Sequence, residues 1–273
     1  MARGLRMGKE GFSLLTLNTY GVPFFLSWGR IARLASHLDR YPVQVICLQE
    51  IQQNAYVGVI SRRLKAFPHQ AIAPYTYAPK GGLGIFSRIP LEDYRFEAYP
   101  DRGLRWVVTL ADWALYKGML VTRLSIQGQM VIVVNTHMNA NYTGQWHPKN
   151  PLAQVQRRQV RQLTRLVNGL PSEALVIVCG DLNFPPTSFL YEELITQGKL
   201  FDPLAGSQET TCRPFRFLPS FWNITLDYIL LRYPAGKSFQ AHVDILEVQD
   251  TNQKLAFRRF LTDHKALVLH ITI

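Results

Sequence analysis

The chain has 273 residues, 47% of them hydrophobic and 18% charged, and its 30 Lys and Arg against 19 Asp and Glu give a net charge of +11. This composition excludes a disordered chain, and the length suffices for one domain with a large core, which we predict over residues 1–273. Because no stretch approaches the roughly 18 to 20 apolar residues of a membrane span and the basic N-terminus lacks the apolar core of a secretory signal, we expect a cytoplasmic protein, soluble or peripheral to a membrane.

Cysteines and charge set further limits. Three cysteines are too few for a disulfide framework, and Cys47 and Cys179 lie in apolar runs, where buried thiols are expected. The positive charge favours anionic partners such as nucleic acid or an acidic lipid surface, or else it only solvates the surface.

Apolar runs and helical spacing predict the secondary structure in chain order. Strands are predicted at 11–18, 43–48, 83–87, 119–125, 130–135, 174–179, 226–231, 243–248 and 266–273. Helices are predicted after Trp28 as far as Leu38, and at 55–64, 154–167 and 190–195. Many neighbouring strands have the pattern of hairpins rather than of regular β-α-β repeats, so we predict an α/β sandwich of two packed sheets flanked by helices.

Polar residues follow several of these strands. Asn18, Glu50 and Asp263 offer hard oxygen ligands of the kind that Mg²⁺ prefers, which indicates a magnesium site. Glu50 is the most informative, because a charge that follows the apolar run VICLQ is costly to bury unless it is paired or bound to metal. The alternative for Glu50 is an exposed side chain beyond the strand.

A glycine and two histidines complete the pattern. Gly180 follows a buried run and is expected to free the backbone to turn, so that Asp181 lies at a strand end. His137 ends the run VIVVNTH and His264 precedes the last strand; with a pKa near ~6.5, either can exchange a proton or stabilise a phosphate oxyanion near neutral pH. Asp227 is a candidate for the carboxylate that fixes a histidine tautomer, and the alternative is a turn or capping residue.

Six short motifs on these strand ends resemble, in order, those of the endonuclease/exonuclease/phosphatase superfamily of metal-dependent phosphoesterases. They are LNTY at 17–20, LQE at 48–50, NTH at 135–137, GDLN at 180–183, LDY at 226–228 and TDH at 262–264. Any one of them occurs by chance, but all six in order do not. The resemblance implies a four-layered α/β sandwich, two mostly antiparallel sheets packed face to face and flanked by helices, with the active site at one edge of the sheets.

The resemblance also implies a ligand set. Mg²⁺, with Mn²⁺ as a substitute, would be held by Asn18 and Glu50, with Asp263 close enough to help. His137 and Asn183 would contact the scissile phosphate.

An acid–base pair is implied in the same way. Asp181 would orient or deprotonate the attacking water, and His264, held by Asp227, would complete the pair. Which of Asp181 and His264 takes the water proton stays open.

Three further stretches resemble the neutral sphingomyelinase branch. They are LNTYGVP at 17–23, GGLGIFS at 81–87, and the pair DW at 112–113 and KG at 117–118 ahead of NTHMNANY at 135–142. The branch implies hydrolysis of sphingomyelin or a related choline phospholipid or lysophospholipid. Lys117, restrained by Asp112, and Asn139 are then the substrate-binding residues, although Asn139 and Asn141 depart from the residues usual there. For Lys117 and Asp112 the alternative is a surface ion pair.

Partners follow from the remaining sequence. The segment from Arg213 to Trp222 alternates cations with aromatics, which predicts a peripheral membrane contact, and core packing of the aromatics is the alternative. Nucleic acid stays an alternative substrate, because other branches of the superfamily cleave DNA or RNA and a net charge of +11 favours a polyanion. A binding protein on an inactive scaffold is less favoured, since every expected catalytic position is filled. No protein partner is predicted.

Overall fold

Eleven strands and four helices lie in the residues that the structure, a computed structural model, describes, which are 11–22, 27–101, 115–213, 223–250 and 260–273. The strands are β1 (Gly11–Gly21), β2 (Val45–Ile51), β3 (His69–Ala71), β4 (Gly84–Ser87), β5 (Asp93–Ala98), β6 (Gly118–Ile126), β7 (Gln129–His137), β8 (Leu175–Asp181), β9 (Asp227–Arg232), β10 (Ala241–Leu246) and β11 (Ala266–Thr272). The helices are α1 (Ser27–Leu38), α2 (Asn54–Arg63), α3 (Pro151–Asn168) and α4 (Phe189–Gly198), and a 3-10 turn spans Lys80–Gly82.

The first sheet has its strands in the order β10-β11-β1-β2-β4-β3. β1 and β2, which are joined through α1, pair in parallel, and the other pairings are antiparallel. Asn18 of β1 lies opposite Gln49 of β2. The carboxyl ends of both central strands therefore reach the same edge of the sheet, where α/β folds commonly place ligands.

The second sheet repeats this arrangement in the order β5-β6-β7-β8-β9. β7 and β8, joined through α3, are parallel and have antiparallel neighbours on both sides. Their register sets His137 opposite Asp181. Two polar strand ends thus lie side by side in this sheet as well.

The two sheets pack face to face through apolar side chains that alternate along their strands. Leu14 and Cys47 of the first sheet and Val133 and Ile177 of the second belong to this shared core. The outer face of the first sheet packs against α1 and α2, and that of the second against α3 and α4. These layers confirm the predicted four-layered α/β sandwich with two mostly antiparallel sheets.

Helix α3 begins where its sequence favours a start. Asn150 caps it by accepting hydrogen bonds from the N–H groups of Leu152 (2.9 Å) and Ala153 (3.1 Å), and Pro151 occupies the first turn. Among the described helices, none combines the length and apolarity that a bilayer crossing needs. The three cysteines are free and buried, as expected for Cys47 and Cys179.

Two short strands escape sequence-based prediction, and both lie at sheet edges. β3 has only three residues, and β5, with the sequence DYRFEA, carries exposed and charged side chains instead of an apolar run. An edge strand has one neighbour and tolerates polar side chains. The hydrophobic pattern therefore does not reveal such strands.

The prediction that Gly180 ends its strand in a turn is wrong. β8 continues through this residue to Asp181, with Gly180 at φ 130°. A Cβ at Gly180 would overlap the carbonyl oxygen of Thr136 in the neighbouring strand. Glycine is required because two backbones approach closely, and Asp181 is consequently fixed by the sheet rather than by a loop.

Candidate active site

Polar side chains from both sheets meet at one edge of the sandwich. β9 and β11 run antiparallel to β8 and β1, so their first residues lie where the central strands end. The residues brought together are Asn18, Glu50, His137, Asp181, Asp227 and His264. All but Glu50 are buried, and Glu50 is only partly exposed.

Asn18 joins the two sheets. Its Nδ2 donates to Glu50 Oε1 (3.1 Å) in the first sheet and to Asp181 Oδ2 (2.9 Å) in the second. Its Oδ1 accepts from the backbone N–H of Tyr20 (2.9 Å). The Asn18 amide therefore holds two carboxylates near each other and fixes its own orientation through Tyr20.

Glu50 is held in a strained backbone conformation. Its φ is 58°, in the left-handed region that non-glycine residues seldom adopt. The Thr19 Oγ1 lies 2.8 Å from the carbonyl oxygen of Gln49 and 3.1 Å from that of Glu50, and a Cβ on Gly21 would overlap the Glu50 carbonyl oxygen. Such strain often marks functional sites. Here it aims the Glu50 carboxylate at Asn18.

Two residues that the sequence did not single out hold the end of β1 in place. Arg30 of α1 donates to the carbonyl oxygens of Thr19 (2.7 Å) and Leu261 (2.6 Å) and also to that of Tyr20. The Thr262 Oγ1 donates to the Asn18 carbonyl oxygen (2.7 Å). The TDH motif contains Thr262 and could have indicated it, whereas nothing in the sequence of α1 points to Arg30.

Lys117 and His137 form a buried pair. The Lys117 Nζ lies 2.9 Å from His137 Nε2 and donates to the Met138 carbonyl oxygen (2.8 Å). Burial, and then the positive charges of Lys117 and His264, hold the pKa of His137 well below its ordinary value. His137 is therefore neutral near pH 7, and because an ammonium only donates, its Nε2 accepts from Lys117.

His264 has the opposite character. Its Nδ1 lies 2.8 Å from Asp227 Oδ2, and its Nε2 is 4.0 Å from Asp181 Oδ2 and 4.0 Å from Asp263 Oδ1. Burial works against the charged imidazole, but Asp227 and Asp263 outweigh it and raise the pKa of His264 well above its ordinary value. His264 therefore keeps its second proton near neutral pH.

Asp181 lies at the centre of the cluster. Its Oδ1 accepts from the Asn183 N–H (2.9 Å), and its Oδ2 is 3.5 Å from His137 Nε2. Burial first, and then the charge of Asp227, raise the pKa of Asp181 to about 7. Burial and then Asp263 raise the pKa of Glu50 as well. Both carboxylates thus lie where negative charge is costly unless a cation is near.

The side chains of this cluster could hold a divalent cation. Glu50, His137 and Asp181 each direct a ligand atom toward the others, all within 4.8 Å, and so do Asp181, Asp227 and His264. His137 Nε2 lies 3.9 Å from Glu50 Oε1, and its own proton is on Nδ1 when it accepts from Lys117. Because His137 Nε2 accepts from Lys117 and His264 holds both protons, the Glu50 and Asp181 carboxylate oxygens are the acceptors of these two groups best placed for a cation, and such oxygens suit Mg²⁺ or Mn²⁺.

Other predicted site residues have different surroundings. The Asn183 Nδ2 donates to the Met138 carbonyl oxygen (3.0 Å), and Asn183 has φ 58°. The Asn139 Oδ1 accepts from Gln159 of α3, so its described contacts are with that helix. The Asp263 carboxylate approaches His264 but belongs to neither group of converging ligand atoms.

Some predictions fall outside the described residues. Asp112 lies there, and so does the segment 214–222 of the predicted membrane contact. Arg213, which begins that segment, forms an ion pair with Glu247 and lies over the ring of Phe260, with 3.9 Å from its guanidinium carbon to the ring centroid. The Arg213 guanidinium is therefore engaged in contacts within the protein.

Comparison with known proteins identifies relatives of this chain. The model of the Endonuclease/Exonuclease/phosphatase family matches residues 15–264. A putative neutral sphingomyelinase of Drosophila melanogaster is 27% identical over 193 residues, which are 70% of this chain and 43% of that protein. The inositol phosphosphingolipids phospholipase C of Saccharomyces cerevisiae is 30% identical over 173 residues, 60% of this chain and 35% of that protein. The matched region thus spans less than half the length of these relatives.

Solved structures share the fold. SmcL superposes with a TM-score of 0.79 at 18% identity over 96% of this chain and 99% of its own. A beta toxin variant of Staphylococcus aureus with bound magnesium ions gives 0.73 at 18% identity over 94% and 98%. TDP2 of D. rerio, complexed with a single-strand DNA product, gives 0.72 at 20% identity over 96% and 99%. At such identities the similarity establishes the architecture.

Proposed function

This chain belongs to the endonuclease/exonuclease/phosphatase family, and we propose that it is a metal-dependent phosphodiesterase that hydrolyses the head-group bond of a phospholipid, in the manner of a sphingomyelinase or phospholipase C. The observation that carries the proposal is the contact between carboxylate, amide and histidine side chains of two sheets around Asp181. We also propose that residues 1–273 form one catalytic domain.

Glu50 is the residue that we expect to hold the metal, with the Asn18 amide and the Asp263 carboxylate beside it. Mg²⁺, or Mn²⁺ in its place, would neutralise charge on the phosphoryl oxygens and lower the pKa of a bound water. The raised pKa of the Glu50 carboxyl supports this assignment, because burial near Asp263 makes the bare carboxylate unfavourable. The magnesium ions in the beta toxin variant are consistent with it.

Asp181 and His264 are proposed to move the protons. With a pKa raised to about 7, Asp181 is suited to accept a proton from the attacking water at its Oδ2 near neutral pH. His264 holds a proton through Asp227 and can donate it from Nε2 to the leaving oxygen. This division of roles assigns the general base to Asp181.

Lys117, His137 and Asn183 are proposed to bind the phosphate. Lys117 lies within hydrogen-bond distance of both His137 and the Met138 carbonyl oxygen, so its charge is fixed beside the acidic cluster. Donors held in place before the reaction stabilise charge that develops on phosphoryl oxygens. Asp112 and Asn139 stay predictions, as the restraint on Lys117 and as a substrate contact.

The proposed substrate is a sphingolipid or another phospholipid. The names of the relatives, a neutral sphingomyelinase and an inositol phosphosphingolipids phospholipase C, support it. We propose that the segment from Arg213 to Trp222 contacts the membrane that carries this substrate. If Phe221→Ala with Trp222→Ala leaves vesicle binding and lipid hydrolysis intact, this contact is wrong.

A nuclease is the second candidate, favoured by the net charge of +11. Binding to a polyanion releases counterions and weakens steeply as salt rises. A lipid hydrolase should instead turn over zwitterionic lipid in mixed micelles with little dependence on salt.

The test is a hydrolysis panel in Mg²⁺ and then in EDTA. The substrates are sphingomyelin, lysophospholipids, inositol phosphosphingolipid and plasmid DNA. We expect Mg²⁺-dependent release of a phosphorylated head group, lost in Glu50→Gln and retained in Glu97→Gln, which makes the same change on a side chain that is 39% exposed. Full activity in Glu50→Gln contradicts the metal assignment, and plasmid cleavage without lipid hydrolysis favours the nuclease.

A further inference from the structure

Three tyrosine rings form a cluster at the surface, here called the tyrosine platform (Tyr75, Tyr77 and Tyr116), in which Tyr116 is half-buried. The ring centroid of Tyr75 lies 5.6 Å from that of Tyr77 and 5.4 Å from that of Tyr116, with interplanar angles of 65° and 52°. Tyr75 and Tyr77 are 36% and 47% exposed. The rings are therefore inclined to one another rather than stacked, and Tyr75 and Tyr77 provide exposed ring surface.

The platform is connected through the chain and through backbone hydrogen bonds to segments of the candidate active site. Tyr116 directly precedes Lys117, whose Nζ lies 2.9 Å from His137 Nε2. The Tyr77 carbonyl oxygen accepts from the N–H of Asn54 (2.8 Å), and Asn54 is four residues beyond Glu50 in the chain. The platform thus touches segments that lead to both the phosphate-binding and the metal-binding side of the site.

The loop that carries Tyr75 is tied to its surroundings at several points. The Asn54 Nδ2 donates to the carbonyl oxygens of Tyr75 (2.9 Å) and Thr76 (3.1 Å). At the end of the loop, the N–H of Gly81 donates to the Leu115 carbonyl oxygen (2.7 Å). These bonds connect the loop to α2 and to the segment before Lys117, so the platform is held before any ligand arrives.

Tyr116 adds backbone strain to this arrangement. Its φ is 60°, which is unusual for a bulky residue. Residues held in such conformations cluster at ligand sites, because the surrounding structure must favour them for another reason. The conformation presents the Tyr116 ring to Tyr75 while Lys117 turns toward His137.

We propose that the tyrosine platform binds the quaternary ammonium of a choline head group while the phosphate lies against Lys117 and His137. Aromatic faces attract quaternary ammonium ions, and tyrosine provides such faces in several choline-binding sites. In a choline phosphodiester a short ethylene linker joins the cation to the phosphate, so the two must bind close together. Tyr116 of the platform is the direct chain neighbour of Lys117, which is proposed to bind the phosphate. An inositol head group would need hydrogen-bonding partners for its hydroxyls instead.

This inference rests on the proposed function. It selects a choline over an inositol head group, and the relatives include both a neutral sphingomyelinase and an inositol phosphosphingolipids phospholipase C. The test compares p-nitrophenylphosphorylcholine with ethyl p-nitrophenyl phosphate, which share a leaving group and differ in the quaternary ammonium. The variants are Tyr75→Leu, which removes the π face, and Tyr75→Phe, which keeps it. Tyr94→Leu is the matched control, since Tyr94 is 48% exposed on β5 and lies outside the platform.

We expect the wild type to prefer the choline diester in kcat/KM, and Tyr75→Leu to reduce that preference about three- to tenfold. Tyr75→Phe should restore most of it, and Tyr94→Leu should leave it unchanged. A wild type without preference, or a preference unchanged in Tyr75→Leu, overturns the inference and leaves the phosphodiesterase proposal intact.

Failure of the proposed function has a different signature. If the wild type hydrolyses neither diester with Mg²⁺ and is also inactive on lipid, the phosphodiesterase assignment is wrong. The platform is then tested by titrating phosphocholine into wild type and Tyr75→Leu by calorimetry or NMR. Several-fold weaker binding in the variant supports the site, and equal binding or no binding to either protein overturns it.

Discussion

Asp181 and His264 both bind protons more tightly in the folded chain than they would in water. Burial and the charge of Asp227 raise the pKa of Asp181, and the same Asp227 raises the pKa of His264 by stabilising its imidazolium. One carboxylate therefore tunes both proposed proton carriers in the direction that keeps them protonated. A bound cation would displace these protons, because its positive charge would stabilise the neighbouring carboxylates in their place.

These shifts predict how stability depends on pH in the metal-free protein. With EDTA present, the free energy of unfolding should fall as pH rises from the ordinary pKa of 3.8 toward about 7, because folded Asp181 binds its proton more tightly than the unfolded chain does. His264 contributes in the same direction as pH rises above 6.5. Asp181→Asn removes this titrating group. The free energy of unfolding, measured by urea titration, should therefore change less between pH 4 and 7 in the variant than in the wild type, with the other groups still contributing. An identical slope in the two proteins contradicts the raised pKa.

The site requires glycine at position 21. A methyl group there would overlap the carbonyl oxygen of Glu50, so Gly21→Ala must displace the strained backbone that aims the carboxylate. We expect a loss of about 1 to 3 kcal/mol in the free energy of unfolding, together with weaker Mg²⁺ binding. Gly11→Ala on the same strand is the control, because its Cβ would lie at an ordinary contact distance of 3.6 Å from the Ile271 carbonyl oxygen. Equal effects of the two changes contradict the argument.

At the scale of elements, β2 and β7 are joined by a buried polar bridge just inside the site. The Gln49 Nε2 donates to Asn135 Oδ1 (2.7 Å), and the Asn135 Nδ2 donates to the carbonyl oxygens of Leu48 (3.0 Å) and Gly84 (3.1 Å). Gln49 and Asn135 are both fully buried. The bridge links the two sheets one residue from Glu50 and two from His137, and so fixes the spacing of the strand ends that carry the site.

Asn135→Leu should therefore be costly although it is apolar and similar in size. It leaves the carbonyl oxygens of Leu48 and Gly84 without this donor, and each unsatisfied buried group costs about 1 to 3 kcal/mol. We expect a loss of about 3 kcal/mol or more in urea unfolding. Asn168→Leu, at an exposed position of α3 where the side chain donates one hydrogen bond to the Gln197 carbonyl oxygen (2.9 Å), should cost no more than about 1 kcal/mol, because water can replace that donor. A small effect of Asn135→Leu would show that the sheets hold their spacing without the bridge.

Some of these elements could be predicted from the sequence and others could not. The runs ALVIVC and ALVLHITI indicated β8 and β11 because buried strands are apolar on both faces. The polar residues near the ends of β1, β2 and β7 could be expected to converge once two packed sheets were inferred. Gln49 and Asn135 gave no such signal, because their pairing depends on how the sheets face each other and not on local pattern.

At the scale of the whole molecule, the repeated topology explains why short motifs far apart form one site. Each sheet has a parallel pair at its centre with an antiparallel neighbour on each side, so these four central strands end, and their four neighbours β4, β6, β9 and β11 begin, at the same edge. The substrate is less predictable, because a net charge of +11 and a shared architecture suit lipids and polynucleotides alike. We therefore propose that substrate choice depends on loops that are tied to segments of the site, such as that of Tyr75.

A cation bound between the two sheets should stabilise the whole fold. A ligand that binds only the folded state adds about 2.7 kcal/mol at a hundredfold excess over its Kd, so Mg²⁺ should raise the Tm in a concentration-dependent way and EDTA should reverse the rise. Glu50→Gln should lose this shift, while Glu97→Gln on the surface of β5 should keep it. Because the pKa values of Glu50 and Asp181 are raised, binding should also release protons near pH 6.5, seen in calorimetry as a heat that depends on the buffer. If Glu50→Gln shows the same Tm shift as the wild type, the cation binds away from this edge, and Glu50 is not its ligand.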